Sequence, residues 1–470
     1  MRQSPSDANE QPAGSDVPAF PCRQFPVVSR HARLLGVYPQ RQPGRFMQRV
    51  RIPGGILSAG QWRALAEIAR RFTPATPLHL TTRQDVELHD LSEQNVPQVQ
   101  QSLADAGLTG LGSGGDTLRN ITICPCAAGG TADTPDLLPL GHAIGQVLAA
   151  YEGIFTLPRK FKMSLGCERG CGRPFIHDLA FLAMRRDTHW GMKVIGAGSL
   201  GPKPVPGIVL LDWIEPIDAL PLSLAAVRIF ARYGDRQNRA KARLRHVRLR
   251  LGDEAFLAAL RQEFEVAQSR RVWPKVALAV AGSTGAARVL TFLNGDVPHE
   301  AADAIAALAD LSFSAVRIGN DHRVSVLAAD DSTIDELLGR LPVLAARAGK
   351  QVNVVACPGT RWCGRALADT NGLADRIRAT LASRPGSDLN IAVSGCPNGC
   401  ATSAVADIGI VGGRSSVEGQ PAEKYAVLVG GGKGTTDVLA QPVAAGLSAD
   451  QTVAEVVRLA QVLAERAPQP

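Results

Sequence analysis

The sequence predicts an α+β protein made of two pseudo-symmetric copies of one unit, at about 45–270 and 275–470. Three observations carry this reading. A strand-and-cysteine text recurs: Ile121-Thr122-Ile123-Cys124-Pro125 matches Val354-Val355-Ala356-Cys357-Pro358. In the same way Ser164 to Cys171 matches Val393 to Cys400. Next, His177-Asp178-Leu179-Ala180 falls where Ala406-Asp407-Ile408-Gly409 falls later, and a glycine turn follows each, Gly196 to Gly201 and Gly430 to Gly434. Self-similarity at a fixed offset marks a duplicated unit. Finally, the opening elements run strand, helix, strand, strand, helix, the order of a ferredoxin-like unit.

The elements follow in chain order. Residues 1 to about 30 are polar and proline-bearing and read as a disordered arm, with order beginning near Leu34. Phe46 to Ile52 alternates like a half-buried strand, and Pro53-Gly54-Gly55 ends it. Ser58 caps a helix with apolar residues at Trp62, Leu65, Ala66 and Ile68. Leu78 to Thr82 and Val86 to Leu88 are further strand, and Val96 to Ala106 is a second helix. In the second copy, Arg288 to Phe292 and a helix over Ala301 to Leu308 echo the first strand and helix. The join is Leu244 to Leu251, preceded by the basic run Asp235 to Arg243. That run has no interleaved aromatic residues for base stacking, so it reads as a solvated helix face and no nucleic acid is expected. Gly196-x-Gly198-x-x-Gly201 matches the dinucleotide fingerprint, but Pro202, Pro204 and Pro206 stand where the pyrophosphate-binding helix should run.

The totals bound the class. A chain of 470 residues is too long for one ordinary core. With 45% hydrophobic and 20% charged residues it has the composition of a soluble protein, and no apolar run is long enough to span a bilayer. The first residues lack a signal peptide's apolar stretch, which predicts a cytoplasmic location and reduced cysteines. The net charge of +8 suggests an anionic partner, cofactor or substrate.

The chemistry concentrates in Cys357-x5-Cys363 and Cys396-x3-Cys400. Each pair follows a short apolar run, so each is predicted in a loop after a buried strand. Four convergent thiolates suit a [4Fe–4S] cluster and also a structural zinc. Zinc motifs favour closer pairs, and Pro358, Gly359, Pro397 and Gly399 let the backbone wrap a large object, which favours the cluster. Four cations stand at strand ends: Arg83, Arg119, Lys160 and Lys162. Lys160 and Lys162 alternate with Phe161 and Met163, so both lysines face one side of a strand. Two ammonium groups side by side repel each other unless an anion sits between them.

Together these stretches resemble the nitrite and sulfite reductase haemoprotein family, which binds sirohaem and a [4Fe–4S] cluster. The matching text is Gly36 to Gln40, Arg51 to Gly55, Thr81 to Gln84, Arg119-Asn120, Leu157 to Lys162, the Asp235 to Arg239 run and the two cysteine pairs. The resemblance implies that Cys357, Cys363, Cys396 and Cys400 ligate the cluster and that Cys400 also bridges to the sirohaem iron. It implies that Arg83, Arg119, Lys160 and Lys162 bind the small oxyanion. Gln84, Asn120, Arg236, Asn238 and Arg239 would hold the macrocycle carboxylates. The implied function is six-electron reduction of nitrite or sulfite, with electrons from a separate ferredoxin or flavoprotein and no membrane partner.

The implied division is a disordered arm at 1–33, ferredoxin-like half-domains at 34–118 and 273–350, and α/β sirohaem- and cluster-binding domains at 119–272 and 351–470. Two alternatives remain: precorrin-3B synthase, a related monooxygenase acting on a tetrapyrrole, and a non-catalytic zinc-binding protein. Cys124, Cys126, Cys167 and Cys171 depart from the family's pattern, and three fates are open for them: core packing, a covalent link near the site, or a further set of ligands. Gly130 stands where the second copy has Cys363, so the first copy lacks the matching four.

Overall fold

The computed structural model describes residues 29–466 apart from 128–133, 169–171, 271, 277, 279–285, 312–313, 350, 385, 387 and 418–419. Gly130, Cys171 and most of the expected arm lie outside the described residues. The arm's last residues are ordered earlier than expected: Ser29 accepts the Ala32 N–H at 3.0 Å and caps a short helix, Arg30–Leu34.

The first half-domain has strands β1 (Val37–Pro39), β2 (Arg45–Val50), β3 (Leu78–Leu80) and β4 (Val86–Ser92). Its helix Ala59–Phe72 starts with a capping box, Ser58 accepting from the Gln61 N–H and the Gln61 side chain reaching back. Helix Val96–Asp105 follows. The first α/β domain carries β5 (Leu118–Ile123), β6 (Phe161–Cys167), β7 (Leu179–Arg186), β8 (His189–Gly196) and β9 (Ile208–Ile214). The second half-domain has β10 (Ala286–Thr291), β11 (Asp296–Val297), β12 (Ser314–Ile318) and β13 (Arg323–Ala328). The second α/β domain has β14 (Val354–Ala356), β15 (Ile391–Ser394), β16 (Ile408–Val417), β17 (Gln420–Val429) and β18 (Gln441–Leu447).

Duplication is visible in the topology. β5, β6 and β7 run parallel and β8 and β9 antiparallel, in that spatial order; β14 to β18 repeat the order and directions. The fingerprint-like glycines after β8 lead into no helix; Ser199 bridges to Val205 and the chain enters β9. The prolines there explain this, because each lacks the N–H that a helix would use.

The two half-domains do not fold as separate bodies. One apolar core runs from Ala32 through Leu108 and on through Leu290 to Leu344. β11 pairs with β3 across the copies, and helix Ala59–Phe72 packs on helix His299–Ala309, with Arg70 clasping Asp303 at 2.8 Å. Each α/β domain keeps its own core.

Two tight turns answer each other in the two copies. Gly54 and Gly55 have φ of 62° and 74°, and Asn294 and Gly295 have 56° and 81°. A Cβ on Gly55 would lie 2.5 Å from the Ile318 carbonyl oxygen, and one on Gly295 would lie 2.6 Å from that of Leu80. Gly55→Ala therefore meets both a left-handed backbone and a backbone clash. Gly430→Ala (φ +82, open space) meets only the first, about 1–2 kcal/mol. The expected result is a clearly larger fall in the urea midpoint for Gly55→Ala than for Gly430→Ala; equal falls would refute the clash.

Candidate active site

The cations gather where the copies meet. Lys160 immediately precedes β6 and Lys162 lies in it, both half-buried, while Phe161 and Met163 are fully buried on the other side. The alternation expected of this segment is what the structure has. Burial lowers both ammonium pKa values, that of Lys160 to about 7 and that of Lys162 well below the ordinary range. Arg243 and Arg119 push Lys160 down further, and Arg83 and Lys160 do the same to Lys162; Cys400 pulls both back up. Neither lysine has an ion-pair partner among the described residues.

Arg83 sits in the turn between β3 and β4. Its guanidinium donates to the Asn120 carbonyl, to the Met163 carbonyl at 3.4 Å and to His177 Nε2 at 3.0 Å. His177 Nδ1 lies 2.9 Å from the Arg173 carbonyl, which can only accept, so Nδ1 carries the proton and Nε2 is free to accept from Arg83. Burial keeps His177 neutral, its pKa well below the ordinary value, and the Arg83 charge reinforces this. Arg119, on β5, donates to the carbonyls of Ser113 (2.7 Å) and Gly115 (3.2 Å). Burial lowers the two guanidinium pKa values to about 9 and about 10, which still leaves both charged at neutral pH.

The four late cysteines stand at strand ends, close enough for the charges of Cys363 and Cys400 to act on Cys357 and Cys396. Cys357 follows β14, Cys363 ends the short helix Gly359–Trp362, and Cys396 and Cys400 follow β15. Burial, then the Cys400 and Cys363 charges, push the Cys357 thiol up to about 12, and burial raises Cys396 in the same way. Thiolates in such company need a cationic centre. The residues fit a [4Fe–4S] cluster by their donors: Cys357 Sγ accepts the Gly395 N–H at 3.2 Å, Cys363 Sγ that of Arg365 at 3.4 Å, and Cys396 Sγ the Asn398 side-chain amide at 3.4 Å. Thr82 Oγ1 donates to the Cys400 carbonyl at 3.0 Å, so the turn that carries Arg83 is tied to the last cysteine. A polyanionic macrocycle fits beside it, because the buried Arg83 Nε is a donor with no hydrogen-bond partner among the described residues.

The residues expected to hold the macrocycle carboxylates also bond within the protein. Gln84, buried with φ 62°, donates to the Ile123 and Ile318 carbonyls and accepts from the Ile123 N–H, a tie between the copies. Asn120 donates to the Ile52 and Arg83 carbonyls. Arg236 and Asn238 are exposed: Arg236 donates to the Thr156 carbonyl at 2.7 Å, and Asn238 accepts from the Ala240 N–H. Arg239 pairs with Asp116 at 2.7 Å. These bonds brace the protein itself. The cation that the sequence reading passed over is Arg243, nine-tenths buried and clasped by Asp178 through two bonds of 2.7 and 3.2 Å. Its only sequence signal was its place at the end of a basic run just before Leu244. Tyr38, in a motif noted only for its resemblance, accepts the Gly115 N–H; burial alone would raise its phenol, but Arg119 and Arg49 hold it below the ordinary value.

Comparison with known proteins settles the family. The model for the "Nitrite and sulphite reductase 4Fe-4S domain" matches residues 114–267 and 348–463, and that for the "Nitrite/Sulfite reductase ferredoxin-like half domain" matches 38–106. The chain belongs to the nitrite and sulphite reductase family. A ferredoxin–nitrite reductase of Synechococcus elongatus is 31% identical over 90% of this chain and 86% of its own. An NADPH-type sulfite reductase haemoprotein β-component of Acidithiobacillus ferrooxidans is 29% identical over 78% of this chain and 74% of its own. The solved structure of the Mycobacterium tuberculosis NirA protein shares the fold, with a TM-score of 0.79, 24% identity, and 93% of this chain and 88% of that one covered. As a member of the family the chain is an oxidoreductase, and its cofactors are a [4Fe–4S] cluster and sirohaem. Among the described residues no helix is long and apolar enough to cross a membrane.

Proposed function

We propose that this protein reduces nitrite or sulfite by six electrons, taking them from a separate ferredoxin. The observation that carries the reading is the gathering of Lys160, Lys162, Arg83, Arg119 and Arg243 within electrostatic reach of one another, with Cys400, the last of the four late thiols, acting on both lysines. On this reading Cys357, Cys363, Cys396 and Cys400 hold the cluster, Cys400 stands next to the sirohaem, and the half-domains and α/β domains divide at 118, 272 and 350. The bound cofactors supply the one-electron steps. The chain's own residues do the rest. Fixed guanidinium charge from Arg83 and Arg119 holds a small oxyanion in a dry site, where it acts more strongly than in water. The ammonium of Lys160 or Lys162 gives up a proton readily, because burial has already weakened its hold on it. The relatives that are named ferredoxin–nitrite reductases, and the net charge of +8, support an acidic ferredoxin as donor.

The test is direct. Purified holoprotein is given reduced ferredoxin with nitrite and, separately, with sulfite. Sirohaem absorption and turnover of one anion are expected, and the ratio of kcat/KM values names the substrate. A sirohaem spectrum with turnover of neither anion would overturn the reading. A cluster spectrum without haem would point instead to a tetrapyrrole substrate.

A further inference from the structure

The first copy carries a second cluster of thiols that the reductase chemistry does not use. Cys124 and Cys126 lie just beyond β5, and Cys167 ends β6. Cys126 Sγ is 3.2 Å from both Cys124 Sγ and Cys167 Sγ, and the last two are 3.8 Å apart. Among the described residues these three form the group of potential metal-ligating side chains whose donor atoms all lie within 4.8 Å of one another; the four late cysteines spread more widely.

That difference in spread separates two kinds of metal centre. In an iron–sulfur cube each cysteine binds a different iron, which pushes the sulfurs apart. Around one tetrahedral ion with metal–sulfur bonds of about 2.3 Å, the sulfurs stand only about 3.8 Å from each other. Three sulfurs with the separations seen here share a point about 2.3 Å from each, roughly 1 Å out of their plane.

The backbone is built for the same task at both sites. The Cys124 N–H donates to the Leu165 carbonyl at 3.0 Å, and the Cys357 N–H donates to the Val393 carbonyl at 3.1 Å, so each cysteine is pinned across the same pair of parallel strand ends. What differs is the spacing. Cys-x-Cys in the first copy puts both thiols of its first pair in one turn, whereas Cys-x5-Cys in the second sets them a helical turn apart. Cys124 and Cys167 are buried, 1% and 3% exposed, among Ile123, Leu140 and Leu165. Such surroundings suit a closed structural site.

We propose that Cys124, Cys126 and Cys167 bind a single zinc ion at the position that the duplication relates to the iron–sulfur site. The ion replaces the three thiol protons, which leave to solvent, and no electron is transferred. In such a closed site the fourth position is completed by another side chain. The ion ties the turn after β5 to the end of β6, the strand whose other end carries Lys160 and Lys162.

The test uses the full chain with its cofactors in place. Metal analysis should find about one zinc per chain beside the iron of one cluster. Exchange with Co²⁺ should give the sulfur-to-cobalt charge-transfer band and the visible bands of tetrahedral cobalt. Cys126→Ser, at the partly exposed thiol, should lose both zinc and the cobalt bands while keeping the cluster absorption, and Cys363→Ser should do the reverse. A native protein without zinc, a disulfide among these thiols on mass mapping, iron and sulfide in excess of one cluster, or zinc unchanged in both Cys126→Ser and Cys124→Ser would each overturn the proposal. If Cys126→Ser does not fold, the zinc content and cobalt spectrum of the native chain decide.

Discussion

Lys160→Ala lowers kcat/KM for the reducible anion by about 10²–10⁴-fold and leaves the cofactor absorption intact. The size follows from losing a positioned acid that is also one of the charges gripping the anion. Lys160 is suited to both tasks because burial, then Arg243 and Arg119, bring its pKa to about 7 in the protein alone. Its sign with pH is fixed: the ammonium is present below that pKa and lost above it. Activity carried by it therefore declines as pH rises, and anions bound beside it move the decline to higher pH. In Lys160→Ala this alkaline limb should be flat. Steady-state rates across pH with each anion would show it. Unchanged turnover would remove Lys160 from the mechanism, and a lost haem spectrum would reassign it to holding the macrocycle.

The sequence made the local features of this site legible. Cysteine spacing after apolar runs placed four thiols at strand ends, and a two-residue alternation put both lysines on one face, because these patterns are written within a few consecutive residues. The duplication was legible too, since each copy repeats the same strand-and-cysteine text. What stayed hidden depends on partners far away in the chain. Each half-domain's helix Ala59–Phe72 or His299–Ala309 shows an apolar stripe, but nothing in the stripe says that the other copy covers it. Gln84 reads as a polar residue next to a cationic one; only the fold brings the Ile318 carbonyl to its amide. The basic run before Leu244 looks uniform in sequence, yet Arg236 and Arg239 reach solvent while Arg243 is buried, because the chain turns inward at Ala242.

Arg243 is also the centre of the strongest stability prediction. Asp178 is fully buried and does two jobs at once. Its carboxylate clasps Arg243 at 2.7 and 3.2 Å, and its Oδ2 accepts the Lys162 backbone N–H at 2.8 Å, while its own N–H donates to the Lys162 carbonyl at 3.0 Å. Asp178→Ala removes the anion and leaves a guanidinium buried without its partner, a loss of about 3–5 kcal/mol in unfolding free energy. Arg243→Met on top of it removes the stranded charge and should recover most of that stability. It should not recover activity, because the Lys162 backbone has lost its acceptor and the anion has lost a cation. Urea unfolding of the two single variants and the double variant gives the coupling energy, and turnover measured on the same samples separates folding from positioning. If Asp178→Ala unfolds at the native urea concentration, the clasp does not hold the site together. If the double variant is no more stable than Asp178→Ala, the stability resides in the Lys162 contact instead of the ion pair.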